Sequence, residues 1–109
     1  VSDRIPEDCS VSFHNHGGSP AVQLAFDSPV LQKTKTALSD EWPKPAAMIA
    51  MGGSIPVVGD FQSILGMESV LVGFGLADDR IHSPNEKYDL TSFHKGARSW
   101  ARILAALAA

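Results

Sequence analysis

Four histidines, one cysteine and twelve carboxylates carry nearly all the metal and proton chemistry open to this chain. The densest group is Ala77-Asp78-Asp79-Arg80-Ile81-His82-Ser83-Pro84-Asn85-Glu86. A neutral imidazole is the commonest zinc ligand, and neighbouring carboxylates can complete a ligand set or orient the ring. One histidine cannot make a site alone, and the alternative is a surface histidine among solvated acids. His14-Asn15-His16 is the other histidine feature. Residues two apart on a strand face the same side, so both rings could reach one metal. Gly17-Gly18 follows at once, however, and takes His16 out of the strand regime. His94 beside Lys95 reads as solvent-facing. Cys9 reads as a small core residue, with nothing nearby to activate a thiolate.

Gly52-Gly53-Ser54 could do a different chemistry. Glycines allow close approach of the backbone, and a helix start offers free N–H groups and a partial positive charge to an anion. The competing reading is a tight turn with a serine cap and nothing bound. The spacing is neither of the two glycine-rich nucleotide patterns, so a nucleotide fold is not indicated. A Ser/His/Asp order with a nucleophile elbow is absent, and no paired glutamates suggest glycoside chemistry.

The elements that must position these residues follow from periodicity. Cys9 to His14 alternates as a strand does, and Ala21 to Phe26 is a second short extended stretch. Ser28-Pro29 opens a helix expected to reach about Trp42, before Pro43 and Pro45, burying Val30, Leu31, Leu38 and Trp42. Ala46 to Met51 reads as a buried strand. Ser54 stands where a cap belongs, followed by a helix carrying Val57, Val58, Phe61, Ile64 and Leu65 and closed by Gly66. Ser69 to Phe74 reads as another buried strand. After an irregular stretch from Leu76 to Tyr88, Asp89 can cap a last helix with Phe93, Ala97, Trp100, Leu104 and Leu107 on its apolar face. This alternation predicts an α/β layer with a partly parallel sheet. Functional loops in such sheets gather beyond the strand ends, so residues 52–54 and 76–88 could share a crevice.

At 109 residues the chain is at most one modest domain. Its 44% hydrophobic and 19% charged residues are those of an ordinary globular protein. A net charge of −3 without a Lys/Arg cluster argues against a nucleic-acid partner. The longest apolar runs, such as Ile103 to Ala109, are too short to span a bilayer. A single cysteine rules out an internal disulfide, and together these features favour the cytoplasm. Val1 stands first in place of Met, and Pro6-Glu7-Asp8 leads straight into a strand-like run, so the expectation is a piece of a longer protein.

Three stretches taken together carry a resemblance: His16-Gly17-Gly18-x-Pro20, Gly52-Gly53-Ser54-Ile55-Pro56-Val57 and Ala77-Asp78-Asp79-x-x-His82-Ser83-x-Asn85-Glu86. Their order and spacing resemble carnosinase-like dipeptidases. That large zinc family also holds aminoacylase, acetylornithine deacetylase, succinyl-diaminopimelate desuccinylase and glutamate carboxypeptidase. The resemblance covers nearly the whole chain from Cys9 and implies a catalytic α/β domain interrupted by a smaller lid domain. On this sequence, residues 1–21 would be the last lid strand and the junction. Residues 22–109 would be the C-terminal part of the catalytic domain, its partly parallel sheet flanked by helices.

The resemblance further implies two zinc ions, or manganese or cobalt in their place, activating a water that a glutamate deprotonates. His82 would bind one metal. Gly53 and Ser54 would hold the substrate's terminal carboxylate, and His16 would make a polar substrate contact. The general base and the other ligands would lie upstream, so this chain supplies no catalytic base and should be inactive alone. The substrate would be a small peptide or an N-acyl amino acid, and the parent a homodimer; the isolated piece should self-associate. Met51 stands where the closest dipeptidases carry Glu, and Ala50 where an arginine is common, which implies a different or blocked amino side of the substrate. The alternatives are a non-catalytic assembly module, or a catalytically dead relative that binds a ligand.

Overall fold

The computed structural model describes residues 2–52 and 55–109. A short 3-10 turn at Ser2–Arg4 precedes three helices: α1 (Pro29–Ser39), α2 (Val57–Leu65) and α3 (Leu90–Ala108). The expected starts and stops hold in part. Ser28 caps α1, its hydroxyl accepting from the Leu31 N–H, and Pro29 occupies the first turn. Such a cap contributes about 1 kcal/mol. Gly66 ends α2 with φ at 63°, a left-handed conformation that glycine adopts without a Cβ clash. At α3, Asp89 holds the N-cap position through its backbone carbonyl, yet its side chain makes no capping bond. That carboxylate is engaged by Lys87 instead, 3.2 Å away.

The expected α/β layer is not formed. Among the described residues there is no β-strand and hence no partly parallel sheet, and the strand expected to remain from a lid domain is absent as well. Residues 9–14, 21–26, 46–51 and 69–74 have neither helical nor strand structure, and no backbone hydrogen bond joins one of these stretches to another. Alternation and apolar runs say which side chains could be buried together. A strand exists only where its N–H and C=O groups find a ladder partner, and these stretches have none. Val11, Phe13, Ile49, Met51 and Leu71 are consequently exposed. Cys9, expected in a core, is exposed too.

Among the described helices, α1 and α3 pack on each other. The buried residues of α3 are Ser92, Gly96, Ser99 and Ile103, at helical spacing on one face; those of α1 are Thr34 and Ala37. This is the small-residue face of α3. The apolar stripe expected to be buried, with Phe93, Trp100, Leu104 and Leu107, is exposed. Small side chains let the α3 backbone approach its neighbours closely: a Cβ on Gly96 would lie 3.1 Å from the Phe74 ring. Phe74 stacks on Trp42 at 5.8 Å, and the Trp42 indole N–H donates to Ser99 Oγ at 2.9 Å. Lys95 covers the Trp42 ring at 4.9 Å and donates to the Glu41 carbonyl at 2.8 Å. Arg98 and Arg102 grip the Glu41 carboxylate at 2.8 and 3.1 Å. The turn after α1 is thus clamped to the middle of α3. Val30, Leu31, Leu38 and Trp42 are only half-buried, while Thr34 and Ala37 carry the buried face of α1.

Candidate functional site

The loop between residues 76 and 89 is held by a dense set of polar contacts. It is fastened first by Asp79, whose carboxylate is only 1% exposed. One oxygen accepts from the Leu76 N–H at 2.7 Å and the other from Lys87 Nζ at 3.0 Å. The backbone closes alongside: Asp79 N–H donates to the Leu76 carbonyl at 3.1 Å, and Lys87 N–H to the Asp79 carbonyl at 3.0 Å. Lys87 also reaches Asp78 at 3.1 Å. The Leu76 N–H, and after it the Lys87 ammonium, hold the Asp79 carboxyl below its usual range. Hydrogen bonds from Lys87 to Asp79 and Asp78 push the lysine above its own usual range.

Between these fastenings the chain turns twice, Ser83 N–H donating to the Arg80 carbonyl at 2.9 Å and Glu86 N–H to the Ser83 carbonyl at 3.2 Å. Arg80, His82 and Asn85 all take left-handed φ values of 55°, 62° and 61°. Such values are uncommon outside glycine, and three within six residues mark a backbone held by its surroundings. Ile81 lies against Gly75, its Cδ1 3.2 Å from where a Cβ on that glycine would sit, and is otherwise exposed. His82 is left exposed at the outer side of the loop.

His82 is therefore an exposed imidazole on a braced loop. Asp78 and Asp79, which the sequence offered as companions for it, are committed to Lys87, and Asp79 to the Leu76 N–H as well. Among the described residues no group of three or more His, Cys, Asp or Glu side chains could hold a metal ion. A zinc site takes three or four protein donors. The residues present thus fit one position in a metal shell and no more.

The other expected residues fall elsewhere. His14 and His16 are exposed in a stretch without regular structure, with Gly17 N–H bonded to Asn15 Oδ1 at 2.8 Å and Gly17 at φ 89°. They are not brought to one metal as a strand pair, since there is no strand. His94 is exposed on α3, as its sequence context suggested. Gly53 and Ser54, the candidate carboxylate clamp, lie outside the described residues. The contribution of Asp79 and Lys87 was missed in the sequence, where Asp79 read only as an acid near His82. Opposite charges eight residues apart, flanking a Pro-Asn turn, are the signal that was there to find.

A family model described as peptidase family M20/M25/M40 matches residues 4–106. The chain is similar to the Cys-Gly metallodipeptidase DUG1 of Candida albicans, 32% identical over 84 residues, which cover 77% of this chain and 17% of that protein. It is similar also to the Cys-Gly metallodipeptidases DUG1 of Saccharomyces cerevisiae and dug1 of Schizosaccharomyces pombe. These are 42% identical over 53 and 57 residues, or 49% and 52% of this chain and 11% and 12% of those proteins. The chain thus spans less than a fifth of the length of these relatives. No solved structure matches it. With the family model matching almost from end to end, the chain belongs to the peptidase family M20/M25/M40.

Proposed function

We propose that this chain is the part of a metal-dependent peptidase that contributes one metal ligand, His82, and a seat for the substrate's terminal carboxylate at Gly53-Ser54. The observation that carries the reading is His82 itself, exposed and held at φ 62° in a loop braced by the buried Asp79 carboxylate and its solvent-facing partner Lys87. Strained, over-determined backbone of this kind gathers where geometry serves a function. The family membership and the metallodipeptidase names of the relatives give that geometry its chemistry.

The reaction is hydrolysis of a dipeptide or N-acyl-amino-acid amide bond. Bound divalent metal, zinc in the first instance and two ions on this reading, would supply a water acidic enough to attack near neutral pH and a Lewis acid for the scissile carbonyl. This chain's share is to bind and to orient. The His82 imidazole donates one nitrogen lone pair, Gly53 and Ser54 fix the carboxylate end, and His16 offers a polar contact to the substrate. Residues 1–21 belong on this reading to the junction with a lid domain, and 22–109 to the catalytic domain. The whole protein works as a homodimer. The chain by itself is inactive, because a lone imidazole leaves a metal without its remaining donors.

The test is hydrolysis of a Cys-Gly dipeptide and an N-acetyl amino acid by the whole protein with added zinc, manganese or cobalt. His82→Ala should lower metal-dependent kcat/KM by at least about a hundredfold on the better substrate; retained activity would sink the assignment. Ser54→Ala should raise KM while leaving kcat nearly unchanged, as loss of a ground-state contact does.

A further inference from the structure

Asp79 and Lys87 are joined twice, by side chain at 3.0 Å and by backbone at 3.0 Å. Together these links close a ring through residues 80–86, and His82 is one of its members, three residues after one fastening and five before the other, with its side chain exposed. The far end of the ring is tied to a helix, since Lys87 also pairs with Asp89 at the start of α3, and α3 packs on α1. The burial of Asp79 matters for the same reason. A carboxylate with both oxygens occupied and almost no water around it leaves little freedom to the backbone it carries.

We infer that the Asp79–Lys87 closure is a positioning device for His82, holding its backbone in the left-handed conformation and fixing the imidazole relative to α3. The inference rests on the reading of His82 as a metal ligand. Neither Asp79 nor Lys87 touches the metal; both act through the loop. A ligand must lie within about 0.2 Å of its metal distance, so slack in a seven-residue loop is enough to weaken a site. A purely stabilising pair would need no particular relation to His82, whereas this one brackets it in the chain and ties the end of its loop to the start of the longest helix.

The test uses the whole protein, stripped of metal and titrated with cobalt(II) by calorimetry and by its visible absorption, in four forms: wild type, Lys87→Met, Lys87→Arg and His82→Ala. Lys87→Met should weaken cobalt binding by about 10- to 100-fold, the usual effect of losing a partner that orients a ligand. It should also alter the cobalt absorption bands, and Lys87→Arg should restore most of both. Wild-type affinity and spectrum in Lys87→Met, alongside loss of binding in His82→Ala, would overturn the positioning role and leave the ligand assignment standing. Wild-type binding in His82→Ala would overturn both. Hydrogen exchange on the wild type checks the closure without any substitution. The Lys87 amide should be protected in the folded protein, and free exchange there would contradict a closed loop.

Discussion

Asp79 and Glu41 are both carboxylates held below their usual range, for different reasons. Asp79 owes its shift first to the Leu76 N–H and then to Lys87, behind almost complete burial. Glu41 owes its shift first to the Arg98 hydrogen bond, with Arg102 adding to it, and both arginines are solvent-facing. A group whose folded value is lowered contributes stability above its ordinary value and loses it as pH falls through the folded one. Lys87 is raised, so its contribution is complete below the ordinary lysine value and fades as pH climbs through the raised one. Stability should therefore be flat between about pH 5 and pH 9 and fall on the acid side. Added salt should erode the ion-pair share at both carboxylates, since Lys87, Arg98 and Arg102 all face solvent, and should spare the part that Asp79 takes from the Leu76 N–H. Denaturant midpoints from pH 3 to pH 7, with and without salt, check this. Lys87→Met should flatten part of the acid limb, and an unchanged limb would show that Asp79 is not held by Lys87.

At the scale of elements, the helix ends were legible because caps and breakers act locally. Ser28-Pro29 and Gly66 each determine a boundary from their own backbone and side-chain chemistry. The strands were not legible, because an apolar run from 46 to 51 or from 69 to 74 carries no record of whether a ladder partner lies beside it. The packing face of α3 escaped for another reason. Hydrophobic periodicity selects Phe93, Trp100, Leu104 and Leu107, whereas the close contact is made by Ser92, Gly96 and Ser99, which no apolar scale favours. Gly96→Val tests that contact. Its side chain would drive into Phe74, already 3.1 Å from a Cβ at that position, and disturb the Phe74–Trp42 stack. Overpacking of this kind costs about 1–3 kcal/mol, more than the gain in helix propensity returns. A thermal melt followed by tryptophan fluorescence should show the loss, and an unchanged midpoint would mean that Phe74 does not rest on α3.

At the scale of the molecule, the chain is extended. Its radius of gyration is 18.9 Å, against about 13 Å for a compact domain of this length. Phe13, Phe26, Ile49, Met51, Ile64, Leu71 and Leu104 are among the large apolar side chains left exposed. Exposed apolar surface on this scale favours association, so the 109-residue chain alone should self-associate in light scattering; a clean monomer would contradict that. Of the candidate site, motif and spacing single out His82 in the sequence as a proposed ligand, whereas the brace around its loop needed three dimensions, because Lys87 shares no motif with Asp79. The claim that decides the rest is that this chain gives one ligand to a metal site completed elsewhere in the whole protein. Metal analysis of the purified whole protein and its His82→Ala variant, after dialysis against trace zinc, tests it most directly. The account predicts that the variant retains at least one equivalent of metal less than the wild type, with an unchanged circular dichroism spectrum; equal metal content in the two would contradict it.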